Sequence, residues 1–159
     1  MFGNSIAQAS LPIVSYNYGQ KNTARIGKAF RLTVGLAVCL GIITTLFCAT
    51  ESDTLMSLFL DSGTTAYRIG CYGFPYYTLG FFFFTVNIVL IGFYQSIEQT
   101  KRATVWMLLR GVVFVIPSFI LMPKLVGEKG LWLAMPVSEI LTFFVIVCCL
   151  LHARRAYRH

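Results

Sequence analysis

Charge is scarce in this chain, and acidic charge is scarcest. Only 12% of the 159 residues are charged, and six residues are Asp or Glu. A soluble domain usually carries about 25% charged residues. Hydrophobic residues make up 57% of the chain and aromatic residues 15%, a mixture that suits helices facing lipid. The shortage of charge therefore excludes an ordinary soluble domain and predicts an all-α integral membrane protein.

The chain also lacks the residue patterns that carry most enzymatic chemistry. It has two histidines and five cysteines, and the cysteines do not show the spacing of metal ligands. We find no Ser/His/Asp, Cys/His or paired-carboxylate set and no glycine-rich phosphate loop. We therefore expect no enzyme, no bound metal and no organic cofactor. Free thiols are expected, and a disulfide between Cys48 and Cys71 stays open as the alternative.

Uncharged runs mark the expected membrane spans. The run from Leu32 to Thr50 has 19 residues, enough to cross about 30 Å of hydrocarbon as a helix. The first segment has no charge but several polar residues, so it predicts the end of a helix and not a full span. We predict a single transmembrane domain over residues 1–159, with four full spans plus the end of a fifth. The expected helices are 2–18, 32–50, 64–97, 104–122 and 131–152.

Positive charge is unevenly distributed between the connecting segments. The loop 19–31, the pair Lys101-Arg102 and the C-terminal tail hold nine of the 13 Lys and Arg residues. The other set of loops holds three cations: Arg68, Lys124 and Lys129. This positive-inside bias predicts a multi-pass protein of the cytoplasmic membrane with a cytoplasmic C-terminus. The net charge of +7 is explained by topology, and because no basic face carries interleaved aromatics we expect no nucleic-acid partner.

The outer loop 51–61 contains a short apolar run that predicts an interfacial helix. Asp61 or Ser62 is the expected N-cap of the long helix that follows, because both side chains can accept a hydrogen bond from the first turn.

Polar side chains inside the expected spans are the candidate functional residues, since a polar group in hydrocarbon is costly. In the long helix, Tyr76, Phe83, Asn87 and Tyr94 fall on a narrow stripe. Such a stripe could line a path for a flat, apolar or cationic solute. The alternative is helix packing, with Asn87 bonded to a neighbouring backbone or side chain. We favour packing and keep both interpretations.

Glu139 is the one acidic residue deep in an expected span. It predicts either a proton or cation site or an acceptor of hydrogen bonds within the bundle. Counting residues from the inner ends puts the Cα atoms of Arg110 and Glu139 about 10 Å apart in depth. Arg110 is therefore expected to reach the headgroups and not Glu139. Asn4 and Gln8 share one face of the first segment and could contact substrate or another helix.

Three stretches carry a resemblance to a known family. The first is Pro12–Lys21, which reads PIVSYNYGQK. The second is Tyr94–Ala103, followed by Leu109-Arg110-Gly111 and Ile116-Pro117. The third is Gly130–Glu139. In this order the stretches resemble the end of helix 8, the passage from helix 10 to helix 11, and the start of helix 12 of the multidrug and toxic compound extrusion (MATE) family.

The resemblance implies a fold and an activity. The family has 12 helices in two six-helix lobes and exports drugs and organic cations in exchange for Na⁺ or H⁺. By order, this chain would be a partial C-terminal lobe, from the end of helix 8 through helix 12. The implied partners are the lipid bilayer, small organic cations or drugs, and the missing N-terminal helices of the parent transporter. The pathway candidates are then Asn4, Gln8, Tyr76, Asn87, Tyr94 and Glu139.

Two departures from the family pattern differ in weight, since the first is mild and the second leaves the coupling ion open. Ser15 and Gln20 stand where Gly and Ala are more usual in the family. The run Ile69–Ile97 has no acidic residue, whereas some members use one in helix 10. A flippase for lipid-linked oligosaccharides is one alternative, with Arg110 as its single candidate for a cationic cavity. A small membrane adaptor or assembly protein is another. For the antiporter, alternating access needs two lobes, so we expect the chain alone not to be competent for transport.

Overall fold

The computed structural model describes residues 2–156, which are helical apart from short turns. The seven α-helices are α1 Phe2–Gly19, α2 Thr23–Thr50, α3 Ser52–Ser57, α4 Thr65–Ser96, α5 Thr100–Leu108, α6 Val115–Val126 and α7 Lys129–Ala156. A π-helical segment, Leu109–Val113, joins α5 to α6. The expected all-α architecture is confirmed.

Four stretches are long and apolar enough to cross a membrane. They are Thr23–Thr50, Thr65–Ser96, Thr100–Val126 and Lys129–His152. The chain is therefore a multi-pass membrane protein, and its helices lie in a lipid bilayer. Helix α1 is not one of these four stretches, and it packs against α2 and α4.

Helix α2 begins earlier than the sequence predicted. The prediction of a loop over residues 19–31 is wrong, because a short turn at residues 20–22 connects α1 to α2. Asn22 caps the new helix by accepting a hydrogen bond from the backbone N–H of Arg25 at 3.2 Å. Arg25, Lys28 and Arg31 therefore lie on the first turns of α2, and Lys21 lies in the turn before it. They still mark one end of the bundle, together with Lys101 and Arg102 at the start of α5, and we call it the basic end.

The opposite end holds the short helix α3, within the loop where an interfacial helix was expected. The predicted N-cap of α4 is wrong by two or three residues. Thr64, and not Asp61 or Ser62, accepts the hydrogen bond from the N–H of Tyr67, at 3.2 Å. Residues 61–63 instead form a turn in which the Asp61 carbonyl accepts from the Thr64 N–H at 3.0 Å. The cations of the expected cytoplasmic tail, Arg154, Arg155 and Arg158, lie outside the described side chains.

Helix α4 is the centre of the bundle and packs against α1, α2, α3, α5 and α7. The half of α4 nearest the basic end supplies five of the ten residues of the buried apolar core: Val86, Val89, Leu90, Ile91 and Tyr94. Small residues allow the neighbouring backbones to approach. Added to Gly92, a Cβ atom would lie 2.8 Å from the Cβ of Ala7 in α1. Contacts of this kind hold membrane helices together where water supplies no hydrophobic driving force.

The third span is not a regular helix. The N–H of Phe114 donates to the carbonyl of Leu109 at 2.9 Å, which is the i to i+5 bond of a π-turn. Pro117 follows this segment and has no N–H, so it cannot complete the α-helical bond to the carbonyl four residues before it. The helix therefore changes from α- to π-helical winding in the segment that contains Arg110.

Candidate functional site

A buried ion pair joins the third and fourth spans. The Nε of Arg110 donates to both carboxylate oxygens of Glu139, at 2.8 Å to Oε1 and 3.0 Å to Oε2. Glu139 is 1% exposed, and the Arg110 side chain is 18% exposed. The prediction that Arg110 reaches the headgroups and leaves Glu139 alone is therefore wrong.

Side-chain length explains the error. Arg110 lies about 16 residues before the end of α6 and Glu139 about ten residues after the start of α7, and a tight turn joins those two ends. The Cα atoms thus differ in depth by roughly 9 Å, close to the value expected from the sequence. The count of Cα depths ignores the length of the side chains. The side chain of Arg110 extends along the bundle and reaches the carboxylate of Glu139. In hydrocarbon, pairing with a buried carboxylate is an alternative to reaching water.

Asn87 of α4 completes the cluster. Its Nδ2 donates to the backbone carbonyl of Glu139 at 2.9 Å and to Oε2 at 2.8 Å. The residue is fully buried, and its Oδ1 has no partner among the described residues. The carboxylate thus accepts from donors on two neighbouring spans, and an unused acceptor lies beside it. We call Asn87, Arg110 and Glu139 the polar cluster.

The guanidinium of Arg110 also lies over an aromatic ring. Its Cζ is 4.3 Å from the centroid of Phe84, within the range of a cation–π contact. The arginine is therefore held by a carboxylate on one side and an aromatic face on another. Because the two charges cancel, the polar cluster is neutral as a whole while Glu139 is ionised.

A cavity of about 310 Å³ reaches the polar cluster between α1, α2, α4 and α7. Its walls combine aromatic rings, small polar groups and one carboxylate. They are Gly3, Thr44, Cys48, Tyr77, Gly80, Phe81, Phe84, Thr85, Met135 and Glu139. Aromatic faces beside a carboxylate are chemically suited to an organic cation.

The stripe expected on α4 divides between different neighbours. Asn87 joins the polar cluster, whereas Phe83 packs on Phe143 with centroids 5.5 Å apart. Tyr94 packs on Trp106, with centroids 4.5 Å apart. Tyr76 is half-buried near the opposite end, 5.6 Å from the Nζ of Lys129.

The other two candidates, Asn4 and Gln8, are exposed on α1 and do not line the cavity. Neighbouring Gly3 lines the cavity and lies against Thr85 of α4, so these amides stand at the middle depth of the bundle. The structure brings Asn87 and Glu139 together and leaves the other four candidates apart from them.

Sequence reasoning missed the cavity wall on α4. Tyr77, Phe81 and Phe84 recur at i, i+4 and i+7, which puts them on one helix face adjacent to the expected stripe. That spacing was available, but aromatics in a lipid-facing helix carry the same pattern without a cavity. Within the described residues no group of three His, Cys, Asp or Glu side chains could hold a metal ion. The five cysteines are free.

Comparison with known proteins identifies the family. No curated protein and no solved structure matches the chain. The MatE family model matches residues 1–120. The match covers two of the three stretches that carry the resemblance, and it includes Arg110 and Asn87. The chain belongs to the MatE family, whose members are membrane transporters.

Proposed function

We propose that this chain is part of a secondary antiporter that exports amphipathic organic cations across the cytoplasmic membrane in exchange for Na⁺ or H⁺. The observation that carries the proposal is Glu139, a carboxylate 1% exposed in the wall of an aromatic-lined cavity. Buried acidic groups in a membrane tend to lie on the paths of ions and substrates. Membership of the MatE family supports a transport role.

The mechanism we propose is competition for one carboxylate. Arg110 occupies Glu139 in this structure, so an arriving cation or proton must displace the guanidinium. A displaced Arg110 would still contact the ring of Phe84. Arg110 also belongs to the π-helical segment. A local change between π- and α-winding would shift the arginine relative to α7. Because drug and coupling ion need the same carboxylate, they would bind in alternation.

We further propose that the working transporter contains helices that cover α1. Asn4 and Gln8 are exposed at the middle depth of the bundle, where a polar group facing lipid is costly. A second lobe would give them a protein or aqueous surface, and alternating access needs two units that rock around a central site. The excess of cations at the basic end supports a cytoplasmic location for that end and for the C-terminus.

Replacing Glu139 by Gln tests the proposed role. In a complete transporter that includes this chain, Glu139→Gln is expected to reduce ethidium efflux to the level of cells without the transporter. The amide keeps the shape of the side chain but cannot exchange a proton or attract a cation. Efflux is measured as the loss of ethidium fluorescence over a range of external pH.

Glu98→Gln is the matched control, because Glu98 is exposed at the basic end, outside the polar cluster. It is expected to leave efflux unchanged. If Glu139→Gln also leaves efflux and its pH dependence unchanged, Glu139 is only structural and the proposed mechanism is wrong.

Residues 1–159 expressed alone test the need for further helices. We expect no ethidium extrusion above that of vector controls, because a single partial lobe cannot alternate between two access states. Immunodetection in the membrane fraction shows that the chain is present. Extrusion faster than the vector control would contradict the requirement for a second lobe.

The flippase alternative is less well supported. It needs a cationic surface for a diphosphate, and the charge of Arg110 is already neutralised by Glu139. The adaptor alternative predicts a stable complex with a partner and no effect of Glu139→Gln on any transport. The efflux assay therefore separates it from the antiporter.

A further inference from the structure

A second cavity lies between α1 and α2, away from the polar cluster. It is an open groove of about 600 Å³ that reaches the basic end. Its walls combine long apolar side chains with small polar groups and two cations. They are Ser5, Ile6, Ala9, Ser10, Ile13, Asn17, Arg25, Lys28, Ala29, Leu32, Thr33 and Leu36. We call it the α1–α2 groove.

Charge and apolarity are separated along the groove. Arg25 and Lys28 lie on the first two turns of α2, at the basic end, and no acidic side chain lines the groove. Leu32 and Leu36 continue the same wall toward the middle of the bundle. From Arg25 to Leu36 the helix rises about 16 Å, which is the order of half the hydrocarbon thickness. The groove is thus cationic at the level of the headgroups and apolar at the level of the acyl chains.

Asn17 adds an unused hydrogen-bond acceptor to this wall. Its Nδ2 donates to the carbonyl of Ile13 at 2.8 Å, while its Oδ1 has no partner among the described residues. Asn17 is 7% exposed. A buried acceptor without a partner is costly, and because the Oδ1 atom is itself buried, the Asn17 side chain must rotate before a donor on a bound molecule can reach it.

The groove faces away from the surface where further helices are proposed. At about 100° per residue, Ala9 and Ile13 lie roughly 140° around α1 from Asn4 and Gln8. A second lobe that covers the amides would therefore leave the groove open to lipid.

We propose that the α1–α2 groove binds an anionic phospholipid, with Arg25 and Lys28 on the phosphate and an acyl chain along Ile13, Leu32 and Leu36. Basic pockets between membrane helices bind anionic headgroups in this way. A neutral zwitterionic lipid would gain less, because its ammonium group offsets the attraction of the two cations. The proposal is independent of what the cavity at Glu139 transports.

Fluorescence quenching in vesicles tests this proposal on the full chain. A tryptophan replaces Ile13, which is 57% exposed and lines the groove. The protein is placed in phosphatidylcholine vesicles that contain either brominated phosphatidylglycerol or brominated phosphatidylcholine. Trp106 and Trp132 also fluoresce, so the signal of the unsubstituted protein is subtracted. We expect the brominated phosphatidylglycerol to quench the remaining signal, that of the new tryptophan, more strongly. A tryptophan at Val105, exposed at a similar depth on α5, is the reference position and should show no preference.

Three variants separate the effect of charge from that of shape. Arg25→Gln with Lys28→Gln is expected to lower the relative affinity for phosphatidylglycerol by roughly fivefold for each cation removed. Lys21→Gln with Arg31→Gln removes the same charge from exposed positions that do not line the groove, and it should retain the preference. Ala9→Phe fills the groove without changing charge and should reduce quenching by both lipids at position 13.

Equal quenching by the two brominated lipids at position 13 would overturn the proposal. So would an equal loss of preference in the Lys21/Arg31 pair, because that result indicates general attraction to the membrane surface. Unchanged quenching in Ala9→Phe would show that the lipid lies outside the groove.

Discussion

Arg110→Met is expected to destabilise the protein by about 3–5 kcal/mol, the cost of leaving one partner of a buried ion pair without the other. Glu139 is 1% exposed and accepts two hydrogen bonds from the lost Nε, at 2.8 and 3.0 Å. Asn87 remains as a donor, but it carries no charge to balance the carboxylate. The free energy of unfolding is measured by titrating detergent-solubilised protein with sodium dodecyl sulfate.

A second substitution identifies the cause of the loss. Glu139→Gln in the Arg110→Met background removes the unbalanced charge and should recover most of the lost stability. Together with the single variants, this double variant completes a double-mutant cycle, which measures the interaction free energy between positions 110 and 139. Arg102→Met is the control, because Arg102 is exposed on the same span, and it should change stability by no more than about 0.5 kcal/mol.

If Arg110→Met costs no more than Arg102→Met, the ion pair contributes nothing to stability. If Glu139→Gln does not recover the loss, the effect of Arg110→Met comes from packing against Phe84 and not from charge. Both results would also weaken the proposed competition for Glu139, since that mechanism requires a bound guanidinium that a substrate can replace.

The spans could be predicted from the sequence because hydrocarbon imposes a simple condition on composition. A run without charge long enough to cross the bilayer is rarely anything else. The ends of the helices are less constrained by that condition. Arg25, Lys28 and Arg31 tolerate either a loop or a helix in the headgroup region, and the capping side chain of Asn22 decides for the helix. At the start of α4, the capping hydrogen bond likewise sets the first residue of the helix, and the cap is Thr64 and not Asp61.

The polar cluster could be predicted only in part. Asn87 and Glu139 are conspicuous because each is polar within an apolar run. Their contact depends on the register between α4 and α7, which no spacing within either helix contains. Arg110 was assigned to the headgroups because depth was counted on Cα atoms. The π-turn and the direction of the arginine side chain toward Glu139 are features of the folded bundle.

Gly73→Ala is expected to destabilise the protein by about 1–3 kcal/mol, the usual cost of overfilling a packed site. The ring of Trp132 lies where a Cβ atom on Gly73 would stand, so α4 and α7 meet there with no room for a methyl group. Lys129, one turn earlier on α7, contacts the rings of Tyr72 and Tyr76 at 5.7 and 5.6 Å. Moving Trp132 would therefore also disturb these cation–π contacts.

The control for this substitution has the opposite expected sign. Gly35 lies inside α2 with nothing within 4 Å of an added Cβ, so Gly35→Ala should stabilise by up to about 1 kcal/mol through helix propensity alone. Trp132→Leu in the Gly73→Ala background should recover part of the loss, because the shorter side chain makes room for the methyl group. The same unfolding titration measures all three variants. A stabilising Gly73→Ala would mean that Trp132 rotates away at little cost, and the close approach of α4 and α7 would then not depend on this contact.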